Sequence, residues 1–147
     1  MTSTSVLADS SIVLNGSART RDEAINEAGR LLVATGAVDA AYVDSMHERE
    51  QSVSTFMGNG LAIPHGTNDA KDSIRRSAMS FVRYPDPVDW NGNETKFVVG
   101  IAGAGGEHLG LLSKLATVFT DADKVAQLER ATTIAEVRDV IGEGRSE

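Results

Sequence analysis

The chain has 147 residues, a length that fits one domain with a sizeable core. Its 41% hydrophobic and 24% charged residues are a globular profile, and a net charge of −7 speaks against an extended nucleic-acid surface. The absence of cysteine excludes disulfides, thiolate metal sites and a cysteine nucleophile, and no run reaches the roughly 18 apolar residues of a membrane span.

Met1-Thr2-Ser3-Thr4-Ser5 has neither the basic start nor the apolar stretch of a secretory signal, which points to the cytoplasm. Residues 1–10, rich in Ser and Thr, are expected to be a flexible leading segment, with the domain over residues 11–147. A short strand is expected at Ser11 to Leu14, closed by Asn15-Gly16. Thr20 and Glu23 have the spacing of a capping box. The helix after them has Ala24, Ala28, Leu31 and Leu32 on one face and ends at Gly36. A second helix is expected from Asp39 to Glu50. Residues 51–60 lack a helical period and read as loop, followed by a strand from Leu61 to Ile63.

Ser77 to Tyr84 reads as a strand, and Pro85-Asp86-Pro87 as a break. Asn91-Gly92 is a hairpin-type turn before the apolar strand Lys96 to Ala102, whose near-continuous apolar run predicts burial on both faces. Gly103-Ala104-Gly105-Gly106 forms a flexible junction. A helix follows with Leu109, Leu112, Leu115, Ala116 and Phe119 at helical spacing. Asp121 caps the next helix. Thr133 and Glu136 form another capping box, before the buried face Ile134, Val137 and Ile141. Strands alternating with helices predict a single α/β domain, a mixed and mainly parallel sheet flanked by helices.

The segment Gly58-Asn59-Gly60-Leu61-Ala62-Ile63-Pro64-His65-Gly66-Thr67 carries the chemistry. Pro64 fixes the backbone before His65, and Gly66, lacking a Cβ, is expected to leave room for a foreign group beyond it. Imidazole is a good phosphoryl acceptor, because one nitrogen attacks while the other keeps its proton and sets the tautomer. His65 is therefore assigned a phosphoryl group; the alternative is a buried or capping loop histidine. His108 lies near a predicted helix N-terminus, where free N–H groups and the helix dipole favour an anion. It is either a hydrogen-bond donor to that phosphate or an exposed first-turn residue. Arg49 would hold phosphate with its planar fork; the alternative is a solvated arginine beside Glu48 and Glu50. Ser54 and Thr55 are candidate hydroxyl donors. His47, mid-helix among charges, reads as a helix-surface residue.

The histidines are far apart in sequence and lack metal-ligand spacing, so no metal is expected. There is no Gly-x-Ser-x-Gly elbow, and Gly103 to Gly106 matches no nucleotide loop, so no cofactor is expected.

Three segments in order carry a family resemblance. They are Tyr42-Val43-x-x-Met46-x-x-Arg49-Glu50, Gly60 to Thr67, and Glu107-His108-Leu109-x-x-Leu112. With them the chain resembles, from about Ile12 to Ile141, the enzyme IIA component of the sugar phosphotransferase system, mannitol/fructose type. Val88-Asp89-Trp90-Asn91-Gly92-Asn93 before Phe97 to Ala102 is similar to the mannitol branch in particular. The resemblance implies that His65 takes phosphate on Nε2 from the phosphocarrier protein HPr. It also implies transfer to the cysteine of a IIB domain of a membrane sugar permease, with Nδ1–H held by a neighbouring acceptor. Arg49 and His108 match positions that line the phosphate site in that branch. Without cysteine, these 147 residues carry no fused IIB. Gly58 to Gly66 also matches the nitrogen-related regulatory IIA proteins, so a role in phosphorylation-dependent partner binding stays open. The expected site is a shallow depression with His65 at its base and Phe56, Met57 and Leu109 meeting the partner.

Overall fold

A computed structural model of the protein describes residues 7–52, 54–103 and 107–141; the side chains at positions 8, 9, 68, 69, 71, 107–109 and 111 lie outside that description. Its central strand, β5 (Asn93–Ala102), follows from the apolar run expected to be covered twice. Phe97, Val99 and Ile101 face one layer and Val98 and Ala102 the other, as the period of two requires. Strand β4 (Ala78–Trp90) pairs antiparallel with β5 through a turn at Asn91 and Gly92, both at positive φ (56° and 92°). That geometry is the one that suits a two-residue hairpin.

Around this hairpin the sheet is mixed, with strand order β1-β4-β5-β3-β2. Strand β1 (Leu7–Val13) runs parallel to β4, and β3 (Leu61–Ala62) parallel to β5. Strand β2 (Phe56–Gly58) folds back antiparallel on β3 and forms an edge. Helices α1 (Arg21–Ala34) and α2 (Ala41–Ser52) cover one face, burying Ile25, Ala28, Leu32, Tyr42 and Met46. Helices α3 (Glu107–Phe119), α4 (Ala122–Arg130) and α5 (Ile134–Ile141) cover the other, burying Leu115, Phe119, Leu128, Val137 and Ile141.

The caps are where the sequence puts them. Thr20 Oγ1 accepts from the Glu23 N–H at 3.1 Å, while the Glu23 carboxylate accepts from Arg19 N–H, one residue before the cap, at 2.9 Å. Asp121 caps α4 through the Asp123 and Lys124 N–H groups. At α5, Thr133 Oγ1 accepts from Glu136 N–H, and the Glu136 carboxylate accepts from Thr132 and Thr133 N–H. Those N–H donors hold the Glu136 carboxyl below its ordinary value.

Three expectations need correction. The first strand starts at Leu7, earlier than the expected Ser11; residues 7–10 belong to it, and residues 1–6 lie outside the described residues. Residues 51–60 are not all loop: α2 runs to Ser52, and Phe56–Gly58 pairs with β3 because its backbone can reach that short strand's free edge. The expected break at Pro85-Asp86-Pro87 is an irregularity inside one long strand. Two prolines supply no ladder N–H, the register shifts between Arg83 and Val88, and pairing resumes at Val88 with Thr95. The junction expected at Gly103 to Gly106 lies, beyond Gly103, outside the described residues.

Candidate functional site

Strand β3 stops at Ala62, but its parallel alignment with β5 continues. The Ile101 N–H donates to the Pro64 carbonyl at 3.1 Å, and His65 bridges to Ile101. His65 thus stands just beyond the C-terminal end of β3 and beside that of β5. Parallel strands commonly present ligand sites at these ends.

The His65 ring is half-buried, and its Nδ1 lies 2.8 Å from the Ile63 carbonyl oxygen. A carbonyl can only accept, so Nδ1 carries the proton, and in the neutral ring the lone pair is on Nε2. The backbone two residues upstream therefore selects the tautomer. Pro64, with φ restrained by its ring, fixes the step between the two.

Gly66 has a different use from the one expected. Its missing Cβ makes room for the protein's own side chains: a Cβ there would fall on Ser45 Oγ and on the Tyr42 ring. Tyr42 then locks the loop. Its hydroxyl donates to the Ile101 carbonyl at 2.7 Å and accepts from the Gly66 N–H at 2.9 Å. Burial pushes the Tyr42 phenol above its ordinary value, against a smaller opposing pull from the Gly66 N–H. The group stays a donor at neutral pH.

Helix α2 presents Tyr42, Ser45 and Arg49 at i, i+3 and i+7, one face of a helix. Tyr42 and Ser45 stand against Gly66, and Arg49 follows one turn after Ser45 in the helical repeat. His47 is on the α1 side instead, with Nε2 2.8 Å from Asn26 Oδ1 and Nδ1 4.0 Å from the Asp22 carboxylate. It is a helix-packing residue.

Of the two hydroxyl candidates, Thr55 is committed elsewhere. It is buried, and its hydroxyl donates to the buried Glu50 carboxylate at 2.5 Å while its N–H donates to the other Glu50 oxygen at 3.0 Å. A hydroxyl whose proton is held there does not donate to phosphate. Ser54 is exposed, and its oxygen accepts from Phe56 N–H at 3.2 Å, which steers the chain into β2. His108 is the second residue of α3, which starts five residues after β5 ends. The first-turn position is as expected, and the side chain lies outside the described residues. Met57, half-exposed on the β2 edge, and half-buried Phe56 give an apolar border beside the β3 end.

Sequence reasoning gave no role to Tyr42, Ser45, Glu50 or Trp90. Tyr42 and Ser45 could have been found by extending the helical face of Arg49 backwards. Glu50 meets Trp90, forty residues away, through an indole N–H at 2.8 Å, and no local spacing signals that contact. Among the described residues no three His, Asp or Glu side chains converge as a metal would require. None of their helices is long and apolar enough to cross a membrane.

The description "Phosphoenolpyruvate-dependent sugar phosphotransferase system, EIIA 2" matches residues 5–144. A mannitol-specific phosphotransferase enzyme IIA component of Staphylococcus aureus is 46% identical over 138 residues, 94% of this chain and 96% of that protein. The fold matches IIA in the Escherichia coli complex of IIA-mannitol with phosphorylated IIB-mannitol, at 33% identity and a TM-score of 0.85, covering 94% of this chain and 96% of that one. It also matches the nitrogen regulatory protein IIA-Ntr of Neisseria meningitidis, at 29% identity and a TM-score of 0.81, covering 92% and 96%. With a family match over nearly its whole length and a fold that agrees, the chain belongs to the EIIA 2 family of the phosphoenolpyruvate-dependent sugar phosphotransferase system.

Proposed function

We propose that this protein is a cytoplasmic phosphocarrier. It accepts a phosphoryl group on Nε2 of His65 from phosphorylated HPr and passes it to the cysteine of a IIB domain during mannitol uptake. One observation carries the reading: the Ile63 carbonyl holds Nδ1–H of His65, so the nucleophilic lone pair belongs to Nε2. The 46% identity to mannitol-specific IIA components supplies the sugar, and the IIA–phospho-IIB complex of the E. coli relative supplies the acceptor.

The chemistry is two in-line displacements. In the first, the bond from phosphorus to the donor's histidine nitrogen breaks and its electron pair stays on that nitrogen. Nε2 of His65 supplies the pair for the new N–P bond, and Nδ1 keeps its proton. In the second, a cysteine thiolate supplies the pair, an S–P bond forms, and Nε2 recovers its own. Such transfers need little beyond alignment and stabilised charge on the equatorial oxygens. The fixed ring supplies alignment. The Arg49 guanidinium, with Ser54 and His108 in support, offsets part of the roughly −2 charge of the phosphoryl group. Phe56 and Met57 meet the partner and keep water from the labile N–P bond.

The test is incubation with phosphoenolpyruvate, enzyme I and HPr, followed by mass mapping of the labelled peptide. Acid-labile phosphate on the peptide containing His65 is expected. No label, or label on a peptide with His47 or His108 alone, overturns the reading. The likeness to a nitrogen regulatory IIA favours a second role in which the phosphorylated form controls partners. The lower identity, 29% against 46%, ranks it behind transport. Mannitol uptake in a strain lacking the gene separates the two: loss supports transport, unchanged uptake supports regulation.

A further inference from the structure

Glu50 is an ionisable side chain buried to 3% exposure, and three donors converge on it. Trp90 Nε1–H and Thr55 N–H reach Oε2 at 2.8 and 3.0 Å, and the Thr55 hydroxyl reaches Oε1 at 2.5 Å. The two N–H groups can only donate, and both meet the same carboxyl oxygen. Burying a carboxylate carries a large desolvation cost, which such bonds offset only when their geometry is good. For joining a helix end to a strand end alone, an apolar contact would serve.

The contacts continue past Thr55. Its carbonyl accepts from the Ile63 N–H at 3.1 Å, and the Ile63 carbonyl accepts from Nδ1–H of His65 at 2.8 Å. A series of hydrogen bonds therefore runs from Trp90, fully buried at the end of β4, through Glu50 and Thr55 to Ile63 and the imidazole. The N–H and C=O of Ile63 belong to different peptide groups, so the link is one of position. Pinning the Ile63 N–H fixes the peptide plane before Ile63, and the following Pro64 confines Ile63 to an extended backbone, so together they limit where its carbonyl points. Glu50 is also the neighbour of Arg49 in the last turn of α2, so the same anchor holds that turn.

We propose that Glu50 is a positioning residue for phosphoryl transfer. Held by Trp90 and Thr55, it aims the Ile63 carbonyl at Nδ1 of His65 and so keeps the nucleophilic lone pair on Nε2. The proposal rests on the carrier reading for its consequence in transfer, but its structural half is measured without phosphate.

The test uses the full chain with ¹⁵N-labelled histidine, at a pH where His65 is neutral. The parent is expected to hold His65 as the Nδ1–H tautomer. In Glu50→Gln an amide N–H₂ faces donors, and in Thr55→Val one donor is gone. Both variants should gain the Nε2–H tautomer. Their rate of phosphorylation at saturating phospho-HPr should fall by about tenfold to a hundredfold, the scale of a small misplacement of a reacting group. KM should stay within about twofold, because the partner surface is untouched. Thr55→Ser, which restores the hydroxyl, should restore the parent's tautomer and rate. If Glu50→Gln does not fold, the Thr55→Val and Thr55→Ser pair decides. Folded variants with the parent's tautomer and rate overturn the proposal, even if they melt lower. A parent that takes no phosphate counts against the carrier reading; an unmoved tautomer counts against Glu50.

Discussion

Two half-buried polar groups, the guanidinium of Arg83 on β4 and the imidazole of His65 beyond β3, are used by the fold in opposite ways. Arg83, on β4, gives Nε–H to the Leu14 carbonyl at 3.0 Å. Its Nη1 reaches the carbonyls of Leu128, Glu129 and Ala131 at 3.0, 3.2 and 2.6 Å. These carbonyls lie at the C-terminal end of α4, where the Leu128 carbonyl also accepts from the Ala131 N–H of the cap, and a cation suits the negative end of the helix dipole. Arg83 is consumed in closing the structure. At His65 the order is reversed: the surrounding groups, Ile63, Pro64, Tyr42 and Ser45, are arranged to fix one ring nitrogen and its loop. A hydrogen bond at Nδ1 defines the chemistry of Nε2. The first region turns polar groups into stability, the second into direction.

Substitutions should separate the two regions. His65→Ala should abolish phosphoryl acceptance while changing unfolding free energy by about 1 kcal/mol or less, the scale of one hydrogen bond. A variant that still takes label on this chain would erase the distinction. Arg83→Met should do the reverse. With several carbonyls left unpaired it should lose about 2–3 kcal/mol by denaturant titration, with the phosphorylation rate of the folded protein unchanged. A slowed transfer would mean that the two regions are coupled.

Gly66→Ala sharpens the comparison, because it strikes direction and stability together. Its Cβ must displace Ser45 or Tyr42, an overpacking expected to cost about 1–3 kcal/mol. Tyr42 also binds the Ile101 carbonyl, so His65 should shift and phosphorylation should slow. Unchanged stability would show that the loop has the slack the sequence suggested.

The smallest effect belongs to the capping box of α5. The Glu136 carboxyl is depressed in the fold, so its contribution is present above the ordinary carboxylate pKa and is lost as pH falls through its lowered folded value. The melting difference between the parent and Glu136→Gln should therefore narrow below about pH 5 and be flat at neutral pH. A gap that widens on acidification would contradict that sign. Phosphorylation should not respond, which sets α5 with Arg83 on the architectural side.

What could be read in advance follows the range of each interaction. Thr20, Asp121 and Thr133 cap helices through atoms two or three residues away, so their spacing was sufficient. Asn91-Gly92 gave its turn for the same reason. Pro85-Asp86-Pro87 was legible as an interruption, but not that β5 would hold the strand together on both sides of it. Gly66 was misread because the side chains that fill its space come from a helix more than twenty residues upstream. Thr55 was misread because its buried acceptor, Glu50, looked like one more charge on a charged helix end. The position of His65 was legible from its local frame of Ile63, Pro64 and Gly66. The partners that hold the frame were not.

The central claim is that phosphate resides on Nε2 of His65 because Nδ1–H is held by the Ile63 carbonyl. Phosphorylated, histidine-¹⁵N-labelled protein tests it by phosphorus–nitrogen coupling. The account predicts phosphorus joined to Nε2 of His65 with a proton still on Nδ1. Phosphorus on Nδ1 of that ring, or on another histidine, would contradict it.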